Sequence, residues 1–148
     1  MIKKSEIEKN KEIVRRAWEE VVNEGKLDIV DELFHLNYIE HIPGGIAKTK
    51  GPERVKRAVT WMRKVFPDLH YTVEDLIAEG DRVVSRVIGI GTHKGEFMGV
   101  TATNRKVEMT AVVISRIKDG KIIEDWSYQN TLDMLKQIGD VSVKQMSS

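Results

Sequence analysis

The sequence predicts an α+β protein, and three observations carry that prediction. Apolar residues recur at helical spacing up to Phe66, and Pro67 then ends the pattern. Beyond Pro67 the chain turns to β-branched, alternating stretches. Glu79-Gly80-Asp81 and Asp119-Gly120 fall between those stretches as tight-turn signals. Helices segregated from an antiparallel run of strands define the α+β class.

Taken in order, Ser5-x-x-Glu8 reads as a capping box opening a helix. Its stripe is Ile13, Val14, Ala17, Trp18, Val21 and Val22, and Gly25 stops it. Leu27 to Phe34 is a shorter second helix. Asn37 to Ile42 alternates as a short strand, and Pro43-Gly44-Gly45 opens a polar loop through Lys50. Gly51-Pro52-Glu53 starts a third helix, because proline fits a first turn where its missing N–H costs nothing. That helix carries Val55, Ala58, Val59, Met62, Val65 and Phe66. Strands follow over Leu69 to Ala78, Arg82 to Thr92, Val107 to Lys118 and Lys121 to Asn130, with a loop excursion around Lys94 to Arg105. A short amphipathic helix then runs to Gly139, and the polar residues 140–148 read as a loose tail to one domain spanning 1–148.

Composition narrows the function classes. Twenty-four Lys and Arg against 23 Asp and Glu leave a net charge of +1, which favours neither nucleic acid nor an acidic membrane as partner. The absence of cysteine removes disulfides, thiolate catalysis and sulfur-ligated metal. The N-terminus has no apolar h-region and no long apolar span follows, so a cytoplasmic protein is expected. His35, His70 and His93 have no metal-ligand spacing. Several strands are apolar on both faces (Val83, Val84, Val87, Ile88; Val112, Val113, Ile114) and need cover on both. Three helices cover one face; a second copy of the chain is expected on the other, giving a homodimer through the outer sheet face.

The last strand is the richest in chemistry. Glu124, Asp125, Trp126, Tyr128 and Asn130 crowd into its second half, and its end at Asn130 is expected to floor any site. If alternation is unbroken, Glu124, Trp126, Tyr128 and Asn130 share one face, and Asp125 and Ser127 the other. Sequence does not choose which faces inward.

Elsewhere the motifs Asn37-Tyr38-Ile39-Glu40-His41, Gly51-Pro52-Glu53, Phe66-Pro67-Asp68-Leu69, Val73 to Val84, Gly91-Thr92-His93-Lys94-Gly95-Glu96-Phe97, Asp119 to Trp126 and Leu135-Lys136-Gln137-Ile138-Gly139 follow one another at sensible spacing. Together they resemble the SnoaL-like polyketide cyclase family of the nuclear-transport-factor-2-like superfamily. The resemblance implies a cone: a curved mixed sheet wrapped on three N-terminal helices, with a short C-terminal helix, enclosing an apolar cavity. It also implies aldol ring closure without metal or cofactor, driven by a carboxylate that removes a proton α to a carbonyl. The family places that carboxylate four residues after the tryptophan of the last strand. Here that position is Asn130, and an amide cannot act as a base.

The candidate site follows from both readings. His41, whose imidazole can act as acid, base or donor, is the expected base or shuttle, and Asn130 the donor to a developing oxyanion. A substitute carboxylate is Glu124, Asp125 or Glu108, with a surface or interface ion pair as the competing reading of each. Tyr38, Trp61, Phe97, Trp126 and Tyr128 are candidate walls for a small hydrophobic or aromatic ligand. Arg86, in mid-strand, needs a carboxylate partner and is a candidate for orienting substrate. The Gly95 to Gly99 segment suits a mobile lid and equally an ordinary hairpin or a dimer contact. The expected function is cofactor-independent proton abstraction, by cyclisation or isomerisation, in an enclosed pocket. The alternative is a non-catalytic binding or dimerisation module, because Asn130 replaces the family's aspartate.

Overall fold

A computed structural model describes residues 4–139. The first helix, α1 (Lys4–Arg16), continues into a π-helical segment (Ala17–Val22). Ser5 therefore lies inside the helix rather than capping it. A 3₁₀ turn (Leu27–Ile29) leads to α2 (Val30–Leu33) and directly into β1 (Phe34–Ile42). Gly45–Ile46 folds back as β2, inside the stretch read from sequence as a loop. Then come α3 (Pro52–Val65), β3 (His70–Glu79), β4 (Arg82–Thr92), β5 (Lys106–Lys118), β6 (Lys121–Gln129) and α4 (Thr131–Gln137). The tail expected from residue 140 lies outside the described residues. Among the described residues no helix is long and apolar enough to cross a membrane.

The six strands form one sheet in the order β2-β1-β6-β5-β4-β3. All neighbours are antiparallel except β1 and β6, so the sheet is mixed. The Asp119-Gly120 turn forms as its sequence demands, with φ of 52° and 74° at its two central residues. Gly51, immediately before α3, has φ +71° and stands so close to Leu36 that a Cβ would lie 2.8 Å from its carbonyl oxygen.

Two bulges set which side chains face inward. In the β5–β6 ladder Ile117 pairs with Ile122 but Arg116 with Glu124, leaving Ile123 as the extra residue. In β3 the same shift falls between Val73 and Asp75. Bulged strands bend and twist more strongly, and the sheet curves as a cone over the helices.

On the concave side lie two apolar clusters. One joins Val14, Val21, Leu33, Phe34 and Val59 to Val83 and Ile122. The other joins Phe66, Leu69, Tyr71, Phe97 and Met109 to Met134 of α4. Trp18 packs against both, with its ring 4.9 Å from that of Tyr71.

A buried carboxyl and its neighbours form a candidate active site

The bulge at Ile123 decides the face of β6. Ile122 points into the core, and unbroken alternation would carry Glu124 and Trp126 inward with it. The extra residue reverses this: Asp125 pairs with Ser115 on the concave face, and Glu124 pairs with Arg116 on the convex one.

Asp125 is buried and bonded on both oxygens. Tyr38 Oη donates to Oδ2 at 2.7 Å, and Ser115 Oγ donates to Oδ1 at 2.6 Å. No cation faces it directly among the described residues. Burial pushes its carboxyl up to about 7; the two hydroxyls pull the other way, and the charges of Glu40 and Glu124 add to the rise. Burial likewise drives the Tyr38 phenol well above its ordinary value, with the nearby charges of Asp125 and Glu40 reinforcing it, so Tyr38 stays a hydrogen-bond donor.

Beside this carboxyl stands a second. Glu40 is the register partner of Asp125 across the parallel β1–β6 pair. It accepts from Arg54 Nε of α3 at 2.9 Å and from Ser127 Oγ at 2.8 Å. On β4, Ser85 Oγ accepts from Trp18 Nε1 at 3.0 Å. Ser85, Ser115, Asp125 and Glu40 thus bring a polar group from each of four strands onto the concave face, joined there by Tyr38 and Ser127.

Of the residues expected at the site, Tyr38 joins this group. His41 is on the convex face: its Nε2 donates to Glu124 Oε2 at 2.6 Å, and its ring stacks on Trp126 at 4.9 Å with 2° between planes. Arg116 Nε donates to the other Glu124 oxygen at 2.9 Å, and Arg82 lies 5.0 Å above the Trp126 ring. Burial opposes ionisation of Glu124, but the bonds from His41 and Arg116 hold its carboxyl below the usual range. Tyr128 and Glu108 are exposed on the same convex face, as is Arg86, whose adjacent-strand carboxylate is Asp75 at 2.7 Å. The sheet therefore separates these residues from Asp125.

Asn130 is occupied in joining α4 to the sheet. Its Oδ1 accepts from Thr110 N at 2.9 Å, and its Nδ2 donates to Glu108 O and to Asp133 Oδ2, both at 3.3 Å. Gln137 exchanges two further bonds with the Glu108 backbone, so two side-chain amides extend the β6 ladder past its last residue. Asn130→Asp would set a carboxylate against Asp133 and lose a donor. It is expected to cost about 1–2 kcal/mol in urea unfolding at pH 7, and less below pH 4, without generating activity.

Trp61 is half exposed on α3, with its ring 5.8 Å from that of buried Phe97. Phe97 and Val100 exchange two backbone bonds of 2.9 Å around Met98-Gly99, which makes this excursion a tight hairpin turn. Open concavities of about 320 and 340 Å³ lie along α3 beside Trp61 and between the π-helical segment and β3. Neither is lined by Asp125 or its partners. No group of three His, Asp or Glu side chains among the described residues is arranged to hold a metal ion.

Ser115, Ser85, Glu40, Arg54 and Ser127 were not named as site residues from sequence. Ser85 between Val83 and Val87, and Ser115 between Val113 and Ile117, carried a usable signal: each is a polar residue at an apolar-face position.

A curved mixed sheet closed by N-terminal helices, with a buried carboxyl on its concave face, defines this as a nuclear-transport-factor-2-like α+β protein. The family profile of the SnoaL-like polyketide cyclases matches residues 12–138, and the chain belongs to that family. It is 32% identical over 133 residues to the aklanonic acid methyl ester cyclase DnrD of Streptomyces peucetius, covering 87% of this chain and 90% of that one. It is 30% identical to the nogalonic acid methyl ester cyclase of Streptomyces nogalater over 119 residues, 80% of this chain and 89% of that one. Among solved structures, IdmH of Streptomyces antibioticus superposes with a TM-score of 0.77 at 34% identity, covering 88% of this chain and 98% of that one.

Proposed function

We propose that the protein is a polyketide-cyclase-like enzyme that moves a proton at a carbon α to a carbonyl, with Asp125 as the group that takes and returns it. The observation that carries this reading is the Asp125 carboxyl: buried, bonded by Tyr38 and Ser115, and pushed to about 7. A carboxyl near the working pH is ionised often enough to remove a proton and protonated often enough to give one back. In the first step its free lone pair takes the α-proton, and the C–H electrons pass into an enolate. The enolate carbon then bonds to a second carbonyl carbon, and Asp125 returns its proton to the alkoxide formed there. Ser115 and Tyr38 fix the carboxylate so that little reorganisation is needed during transfer. This reading requires a substrate to approach Asp125 from the side of the polar group where the half-buried Glu40, Arg54 and Ser127 stand.

The substrate class this suggests is a polyketide methyl ester, the class named for the aklanonic and nogalonic acid methyl ester cyclases among the relatives. The proposed step further requires one carbonyl beside the acidic carbon and a second for the enolate to attack. The test is turnover of aklanonic acid methyl ester by purified protein, followed by chromatography of the cyclised product. Product formation above the buffer rate supports the reading. Binding without product favours a non-catalytic member of the fold, the view that Asn130 at the family's aspartate position supports.

The convex face bears on assembly. Ile90, Val112 and Tyr128 expose apolar surface there, alongside Val84, Ile88 and Ile114. An apolar sheet face of this kind fits an isologous contact with a second copy. Val112→Arg is expected to turn a dimer into a monomer by light scattering at micromolar concentration; a monomeric wild type would contradict the assignment.

A further inference from the structure

We propose that Glu40 is a positioning residue for Asp125: its carboxylate, fixed one strand away by Arg54 and Ser127, supplies the charge that sets how tightly Asp125 holds its proton. This rests on Asp125 being the proton-transfer group.

The geometry makes the two carboxylates an unequal pair. They are register partners on adjacent parallel strands and face the same side of the sheet. Glu40 has a guanidinium at 2.9 Å and a hydroxyl at 2.8 Å. Asp125 has hydroxyls alone. A negative charge on Glu40, facing the same side of the sheet from the next strand, disfavours a second negative charge on Asp125 and so favours its protonated form. Ser127, next but one after Asp125 on β6, ties the Glu40 carboxylate to the same strand and fixes the distance over which it acts.

The other charged and titratable groups around Asp125 are few. Tyr38 faces it from β1, and Arg54 acts from α3 through Glu40. Glu124 adjoins it in sequence but points to the convex face, where Arg116 and His41 pair with it. Burial also favours the protonated form of Asp125, so the Glu40 contribution has to be separated by substitution.

The readout is the midpoint of Asp125 protonation, followed by the ¹³C shift of its carboxyl carbon in the full chain without substrate. Glu40→Gln keeps the shape and hydrogen-bonding capacity while removing the charge, and should lower the midpoint by about one pH unit. Arg54→Gln leaves the Glu40 charge uncompensated and should raise it. Glu40→Asp, which retains the charge, should restore a midpoint close to wild type. Opposite movements in the Gln variants are what a purely structural role would not produce. An unmoved midpoint in a folded Glu40→Gln protein, or equal movement in both Gln variants, would overturn the proposal. Because this titration needs no turnover, it is independent of the catalytic reading. If Asp125→Asn retained wild-type turnover, the catalytic reading would fail while the pairing of the two carboxylates stood.

Discussion

Asp125→Asn is expected to lower kcat by about 10²–10⁴-fold, the usual contribution of a general acid–base group. The same variant should be more stable than the wild type above neutrality. The sign follows from linkage. The Asp125 carboxyl sits at about 7 in the folded protein against an ordinary 3.8, so the folded state holds a proton that the unfolded chain gives up. Its stabilising contribution is complete below about pH 4 and is lost as pH rises through 7. Asparagine carries no such proton. Relative to wild type it should therefore gain on the order of 2–4 kcal/mol at pH 8 and little at pH 4. Urea unfolding at the two pH values, alongside turnover, checks both halves. Loss of activity together with loss of stability at pH 8 would instead identify Asp125 as a structural residue.

Trp18→Ala is expected to have the largest effect on stability. Trp18 packs against both apolar clusters and donates to Ser85, whose side chain is fully buried. Removing the indole leaves a cavity between the clusters and deprives Ser85 of its donor. The cost should be about 3–5 kcal/mol, the range for emptying a large aromatic from a core. Trp18→Phe, which keeps most of the volume and loses the N–H, should cost about 1–2 kcal/mol. Denaturant midpoints of the two variants separate packing from the hydrogen bond. Equal and small losses in both would mean that the concave face repacks around the missing ring.

Much of the fold was legible. Gly51-Pro52 marked the start of α3, and Asp119-Gly120 marked the β5–β6 turn, because both encode backbone geometry directly. The β-branched run Arg82 to Thr92 coincides with β4 from end to end. The π-helical segment was hidden because its stripe of Ala17, Trp18, Val21 and Val22 also fits an α-helix. Bonding five residues back, as from Asn23 N to Trp18 O at its end, is what distinguishes it. β2 was missed because two residues carry no period.

The site was harder to read, for one local reason. Sequence named Asp125 among the replacement carboxylates but had no way to orient β6. Ile122 and Ile123 are equally apolar, so nothing in their chemistry indicates which is the extra residue of the bulge. That single residue moved His41's partners, Glu124 and Trp126, to the convex face and brought Asp125 and Ser127 to the concave one. Asn130 was ambiguous in a different way. An amide at a strand end suits an oxyanion donor and a helix junction equally, and its three bonds to Thr110, Glu108 and Asp133 place it in the junction.

The central claim is that a carboxyl on the concave face carries the proton. The most direct measurement is the pH dependence of kcat/KM for aklanonic acid methyl ester, which reports the ionisation of the free enzyme. Activity should rise with pH through a midpoint near 7, where burial holds the Asp125 carboxyl. A profile flat from pH 5 to 8, or a midpoint near the ordinary carboxylate value of about 4, would contradict it.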